Sequence, residues 1–351
     1  MIVPEFKIDK EYYQDDKTQI LAEVDSLSIF IEVINKLQEN KESELIYRGQ
    51  SSKDWCISSS LTRNILPSLT TIRHDLNISE EKLDDDTLTK MPEFNDYLKS
   101  DKIRSFIESK ENKILSSYIK FKNQLPVYID EIDNKEYLIN SDLSLLMLAQ
   151  HYGLPTRFID WSFNPLISLY FAVNSLNCKN AAVFVCQPKI IITGESFSKA
   201  FNEFYDSLGS LKSDVKRYPN ITQMAMDEIN KFKSLAFKDN SFINDKNRIN
   251  KLARDANEAP NKMNIIDFEG FDSIFLNHYL FDKRMSSQEC VFYYQDNIYE
   301  NFKTREGDRL SKIIINNPSK IKNELINLGI VESRIYPSIS GLVKMLKHSF
   351  I

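Results

Sequence analysis

The sequence predicts an α+β fold: one mixed, mostly antiparallel sheet with helical insertions between its strands. Three observations carry that expectation. Short apolar, β-prone runs are scattered along the chain at 44–50, 181–186, 290–295 and 310–316. The segments between them repeat apolar residues at i, i+3, i+4 and i+7, the period of an amphipathic helix. With 351 residues, 42 % of them hydrophobic, the chain can bury a sizeable core. No internal repeat is visible, which argues against a solenoid or propeller.

The elements follow in order. Residues 25–40 place Phe30, Val33, Ile34 and Leu37 on one helical face, with Asp25 and Ser26 as N-cap candidates. ELIYRGQ (44–50) is a short strand stopped by Gly49. Residues 64–140 read as mostly helical and polar, with an acidic loop near Glu80–Asp86 and an amphipathic stretch from Glu111 to Phe121. Leu143–Tyr152 is a buried helix that Gly153 and Pro155 end. Thr156–Trp161 is extended, and Asn164-Pro165 reads as N-cap plus first turn of a helix, Leu166–Leu176, that is apolar nearly all round and belongs in the core. AAVFVC (181–186) is a fully buried strand, and 195–262 a largely helical insertion. Strands resume at 290–295 and 310–316. Asn317-Pro318 opens a helix with Ile321, Leu325 and Leu328 on one side and Gly329 behind it, and a last helix covers Ser340–Lys347.

Bulk properties exclude several functions. A net charge of -5 disfavours an extended nucleic-acid surface, though not a local basic pocket. The four cysteines form no CxxC pair and no zinc spacing, so no metal is expected. No stretch approaches the ~20 apolar residues of a membrane span, and the N-terminus lacks a signal pattern. The expectation is a cytoplasmic protein.

The stretch from Leu145 to Val173 sets Gln150, His151, Arg157, Asp160, Trp161 and Asn164 between two strongly apolar segments. Polar groups so placed must be satisfied internally or face a ligand. With Tyr47-Arg48-Gly49-Gln50, Trp55 and Ser60-Leu61-Thr62-Arg63 upstream, the sequence resembles the FRG domain family, named for an aromatic-Arg-Gly motif. The family's central block matches Ala149 through Leu166, with Ser162 where the family has Thr. A third block appears as Arg284 followed by Gln288-Glu289-Cys290-Val291-Phe292, with Cys290 where the family has Gly. Gly329-Ile330, Tyr336-Pro337 and Gly341-Leu342 resemble the family's ending. The resemblance spans residues 25–351, leaving 1–24 as an N-terminal extension. It implies a site near these blocks and a bacterial defence or toxin setting.

Arg48, Arg63, Arg157 and Arg284 fall in those blocks. Guanidinium groups are always charged and bind phosphates through a planar fork, yet each could equally brace the core against a carboxylate. Arg48 is the strongest binding candidate, because Gly49 beside it would let a ligand approach the backbone. Tyr47 and Gln50 flank it as further ligand-binding candidates. His151 is either a proton-transfer group or a helix-end histidine tied to a carbonyl. Asp160, beside Trp161, should pair with Arg157 or Arg48 as structural support, and Asn164 should cap its helix. Gln288 and Glu289 precede a strand, so alternation lets only one face the site.

Two functions compete. By analogy of fold, Arg48, the Ser162–Phe171 stretch and Gln288/Glu289 occur in the order found in ADP-ribosyltransferase-like enzymes, with NAD as the cofactor. Arg48, His151, Gln288 and Glu289 are then the catalytic candidates, the arginine holding a phosphate and the carboxylate stabilising an oxocarbenium-like centre. The alternative is a non-catalytic sensor that binds a small anionic ligand, a nucleotide or a protein partner.

Overall fold

The computed structural model describes residues 17–78, 85–132, 142–175, 180–193, 273–277, 283–295, 298–305 and 307–347, together with Ile8, Tyr13 and Lys135. The expected insertion at 195–262 lies outside the described residues.

Among these residues eight strands form one mixed sheet. They are β1 (Ile20–Val24), β2 (Ile46–Gln50), β3 (Phe158–Ser162), β4 (Ala181–Gln187), β5 (Ile191–Thr193), β6 (Ile274–Asn277), β7 (Cys290–Tyr294) and β8 (Arg309–Ile315). Their order across the sheet is β1-β8-β4-β2-β3-β7-β6-β5. Both edge pairs, β1/β8 and β5/β6, run parallel, and the five inner pairings are antiparallel. β1 adds part of the expected N-terminal extension to the sheet. Its exposed Ile20 and Leu21 give it no clean alternation, so it reads weakly as a strand.

The helices are α1 (Leu27–Glu39), α2 (Ser60–Ile65), α3 (Leu69–Leu76), α4 (Asp85–Lys90), α5 (Pro92–Leu98), α6 (Asp101–Gln124), α7 (Asp142–His151), α8 (Pro165–Val173), α9 (Lys283–Ser287), α10 (Pro318–Asn327), α11 (Glu332–Ile335) and α12 (Ile339–Lys347). Local chemistry explains several boundaries. Asn164 caps α8, its Oδ1 accepting from the amides of Leu166 at 2.9 Å and Ile167 at 3.3 Å. Asn317 caps α10 through the amide of Lys320. Ser26 precedes α1 but makes no side-chain cap. Glu324 of α10 takes that role, accepting from the amide of Leu27 at 2.7 Å. Gly153 ends α7 with a φ of 92°. Ile321 and Leu325 of α10 are buried as expected, but Leu328 is exposed, because it sits past the last turn.

The sheet separates two layers of core. On one face Tyr47, Val183, Val185, Ile313 and Ile315 pack against α1, α8 and α10. On the other face, Ile46, Ile159, Trp161, Phe184, Val291 and Tyr293 form a cluster with Phe302. The α3–α7 region is helical as expected and supplies a core of its own: Ile72, Phe94, Ile103, Ile107 and Met147 pack with Phe158, Phe292 and Tyr294 in a third cluster. No described helix is long and apolar enough to cross a membrane.

Candidate functional site

Two neighbouring inner strands barely pair. β2 joins β4 through five residue pairs but meets β3 at one, Tyr47 opposite Ser162. Beyond that point the strands part. Arg48 Nη1 crosses the opening and donates to the backbone carbonyl of Asp160 at 2.5 Å. A side chain thus makes the bond that the ladder would otherwise supply.

A cavity of about 790 Å³ occupies the opening. Consecutive residues of both strands line it: Tyr47, Arg48, Gly49 and Gln50 of β2, and Asp160, Trp161 and Ser162 of β3. The cavity thus lies where the two strands part. Ser168 and Phe171 of α8, Arg284 of α9, Gln288 and Cys290 complete the wall, with Asp54, Trp55, Cys56, Ser58, Arg63 and Leu66.

Three donors here are buried without a hydrogen-bond partner: Arg48 Nε, Trp161 Nε1 and Arg284 Nε. Each belongs to a residue of the cavity wall. An unsatisfied buried donor costs roughly 1–3 kcal/mol, so three around one hollow is a concentrated deficit. Burial, and then the nearby charge of Arg63, push the pKa of Arg48 down to about 10, with Asp160 acting in the opposite sense. An anion between the two guanidinium groups would relieve both effects.

Arg284 is held by two contacts. Its Nη1 donates to the carbonyl of His151 at 3.1 Å, and its guanidinium lies 4.6 Å from the ring centroid of Tyr336. Gln288 is buried; its Nε2 donates to the carbonyl of Ile335 at 3.2 Å and its Oε1 accepts from Cys290 Sγ. Gln50 Nε2 donates to the carbonyl of Trp55 at 3.2 Å. The Asp160 carboxylate accepts from Gln150 Nε2 at 3.1 Å. Gln150 also accepts from Ser60 and Thr156, so one amide ties the start of α2 to β3. Arg63 donates to the carbonyl of Ser58.

The structure thus brings together Tyr47, Arg48, Gln50, Arg63, Asp160, Trp161, Arg284 and Gln288. It corrects three other expectations. Arg157 is 1 % exposed and turned into the core, donating to the Tyr294 hydroxyl at 3.2 Å and lying over that ring; it braces rather than binds. Of the two arginines expected beside Asp160, Arg48 is the one there: the Asp160 backbone carbonyl receives Arg48 and its side chain receives Gln150. Glu289 is exposed, in a left-handed turn with φ 47°, and accepts from Asn164 Nδ2 at 2.8 Å, so Gln288 is the member of the pair at the cavity. His151 lies outside the cavity wall, at the end of α7, with its ring edge-on to Tyr152.

Two wall residues take unexpected parts. Gly49 does not admit a ligand. A Cβ there would stand 1.9 Å from the Ser168 carbonyl oxygen and 2.6 Å from the Ala172 nitrogen, so glycine lets α8 lie directly on β2. Tyr47 is fully buried with its hydroxyl bonded to Gln38, and burial raises its pKa. Trp55, Ser168 and Phe171 were not singled out as site residues from sequence; Trp55 entered only within the first family block, and the other two only within the Ser162–Phe171 stretch. Of these, only Trp55, an indole directly after the polar run Ser51-Ser52-Lys53-Asp54, carries a local signal.

Comparison with known proteins adds one finding. The family model of the FRG domain matches residues 43–181. No curated protein and no solved structure matches the chain. The matched segment supplies β2, β3, α8 and the Arg48, Arg63 and Asp160 side of the cavity, while Arg284 and Gln288 come from beyond it. The chain therefore contains an FRG domain, carried by residues 43–181.

Proposed function

We propose that the cavity binds a small phosphate-bearing ligand of nucleotide type, NAD being the candidate, and that the protein uses it in ADP-ribosyltransferase-like glycosyl transfer. One observation carries this reading: two guanidinium side chains and one indole that line a single cavity, those of Arg48, Arg284 and Trp161, each hold a buried N–H without a hydrogen-bond partner. Phosphate oxygens satisfy such donors, and guanidinium groups bind them through paired hydrogen bonds. The volume falls within the ~300–1,000 Å³ typical of small-molecule and cofactor sites.

In this reading Arg48 and Arg63 hold phosphate and Arg284 fixes the far end of the ligand. NAD supplies a glycosidic bond whose cleavage develops positive charge on the sugar. The Asp160 carboxylate, anchored by Gln150, stabilises that charge in place of Glu289, and the Gln288 amide orients the sugar or the acceptor. The setting, bacterial defence or toxin action, rests on the family resemblance, and the cytoplasmic location on the sequence composition.

A second reading, a sensor that binds without turnover, is favoured by one fact. The glutamate expected to act in catalysis lies outside the cavity. Purified protein incubated with NAD separates the two. Nicotinamide release by the wild type, lost in Arg48→Ala, supports the transferase. NAD that raises the melting temperature and is recovered intact supports the sensor. Neither effect would overturn the ligand assignment.

A further inference from the structure

The cavity mouth carries a feature that anion binding leaves unexplained. Trp55 lines the cavity and is 58 % exposed, so its indole is open to a partner there. Its loop is held on both sides. Lys53 N–H donates to the Asn180 carbonyl at 2.8 Å, and Ile57 is buried, its carbonyl accepting from Phe302 N–H at 2.8 Å. Gln50, itself in the wall, holds the Trp55 carbonyl. The loop is anchored, and it keeps the indole at the mouth instead of folding it inward. Beside it stand Arg48 and Arg63, close enough for one charge to act on the other.

We infer that Trp55 is a stacking platform for a nucleobase, so that the site takes a nucleoside diphosphate: base on Trp55, diphosphate between Arg48 and Arg63. An aromatic face at the mouth suits any flat base, because stacking depends on π-surface and not on a hydrogen-bond pattern. Two neighbouring guanidinium groups suit two linked phosphoryl groups better than one. This assignment rests on the anion-binding reading above and adds to it the part of the ligand that lies outside the sheet.

Isothermal titration of the full chain with inorganic pyrophosphate and with ADP tests it. The wild type should bind ADP about 5- to 150-fold more tightly than pyrophosphate, the equivalent of the ~1–3 kcal/mol of base–aromatic stacking. Trp55→Ala should erase that difference and leave pyrophosphate affinity unchanged; the residue is exposed, so the variant should fold. If pyrophosphate binds but ADP gains nothing, or if Trp55→Ala leaves the ADP advantage intact, the platform is refuted while the anion site stands. If neither ligand binds the wild type, both assignments fall.

Discussion

Gly49→Ala probes the contact that shapes the cavity. The new methyl group would sit 1.9 Å from the Ser168 carbonyl oxygen and 2.6 Å from the Ala172 amide nitrogen, both backbone atoms of α8. No rotamer change relieves such a clash. Reaching even 3.0 Å, the lower limit of tolerable contact, requires α8 to retreat by about 1.1 Å. A gap of 0.5–1 Å already forfeits roughly a quarter to a half of each dispersion contact across it. Leu169, Tyr170, Ala172 and Val173 are all buried on this helix, so the loss spreads over its whole inner face. Overpacking a core costs about 1–3 kcal/mol, and this case belongs at or above the upper end. Ser168 and Phe171 would move with the helix and deform the cavity wall. Urea unfolding should show a midpoint lowered by the equivalent of about 3 kcal/mol with the slope unchanged, and titration should show weakened pyrophosphate binding. Gly153→Ala is the control: φ is 92° but nothing lies within 4 Å of the added carbon, so only backbone strain of about 1–2 kcal/mol is expected and binding should persist. A Gly49→Ala protein within about 0.5 kcal/mol of wild type, binding normally, would refute the packing argument.

Other outcomes follow from the same contacts. Asn164→Ala removes a cap that serves two amides and a bond to Glu289, and should cost about 1–2 kcal/mol in chemical unfolding; Asn164→Asp keeps the cap but faces the Glu289 carboxylate and should recover stability as pH falls. Glu289→Gln should leave ligand affinity and nicotinamide release within about twofold of wild type, whereas Gln288→Ala should reduce both; the reverse pattern would return Glu289 to the site. Asp75 is held to a pKa of about 2, first by its bond to Lys102 and then by the Tyr97 hydroxyl, against an ordinary 3.8. Its contribution is complete above pH 3.8 and disappears as pH falls toward 2, so Asp75→Asn should flatten that part of an acid-stability curve.

What the sequence revealed was mostly local. The Asn164-Pro165 and Asn317-Pro318 starts were readable because a cap and its helix are neighbours in the chain. β4 was readable because a strand buried on both faces is a continuous apolar run. Whether an arginine binds or braces is not local. Arg48 and Arg157 look alike in sequence, yet one crosses the opening to the Asp160 carbonyl and the other lies on Tyr294, 137 positions away. Alternation limited Gln288 and Glu289 to one occupant of the site, but the choice depended on a left-handed turn at Glu289. The parting of β2 from β3, which makes the cavity, depends on how two strands separated by over a hundred residues are held apart, and no short segment encodes that.

The central claim is that a phosphate-bearing ligand sits in the gap between β2 and β3. Crystals soaked with ADP-ribose test it most directly. Density is expected in that gap, with phosphate oxygens within hydrogen-bond distance of the Arg48 guanidinium and the ligand extending toward Arg284. An occupied site elsewhere on the protein, or an empty gap at saturating ADP-ribose, would contradict it.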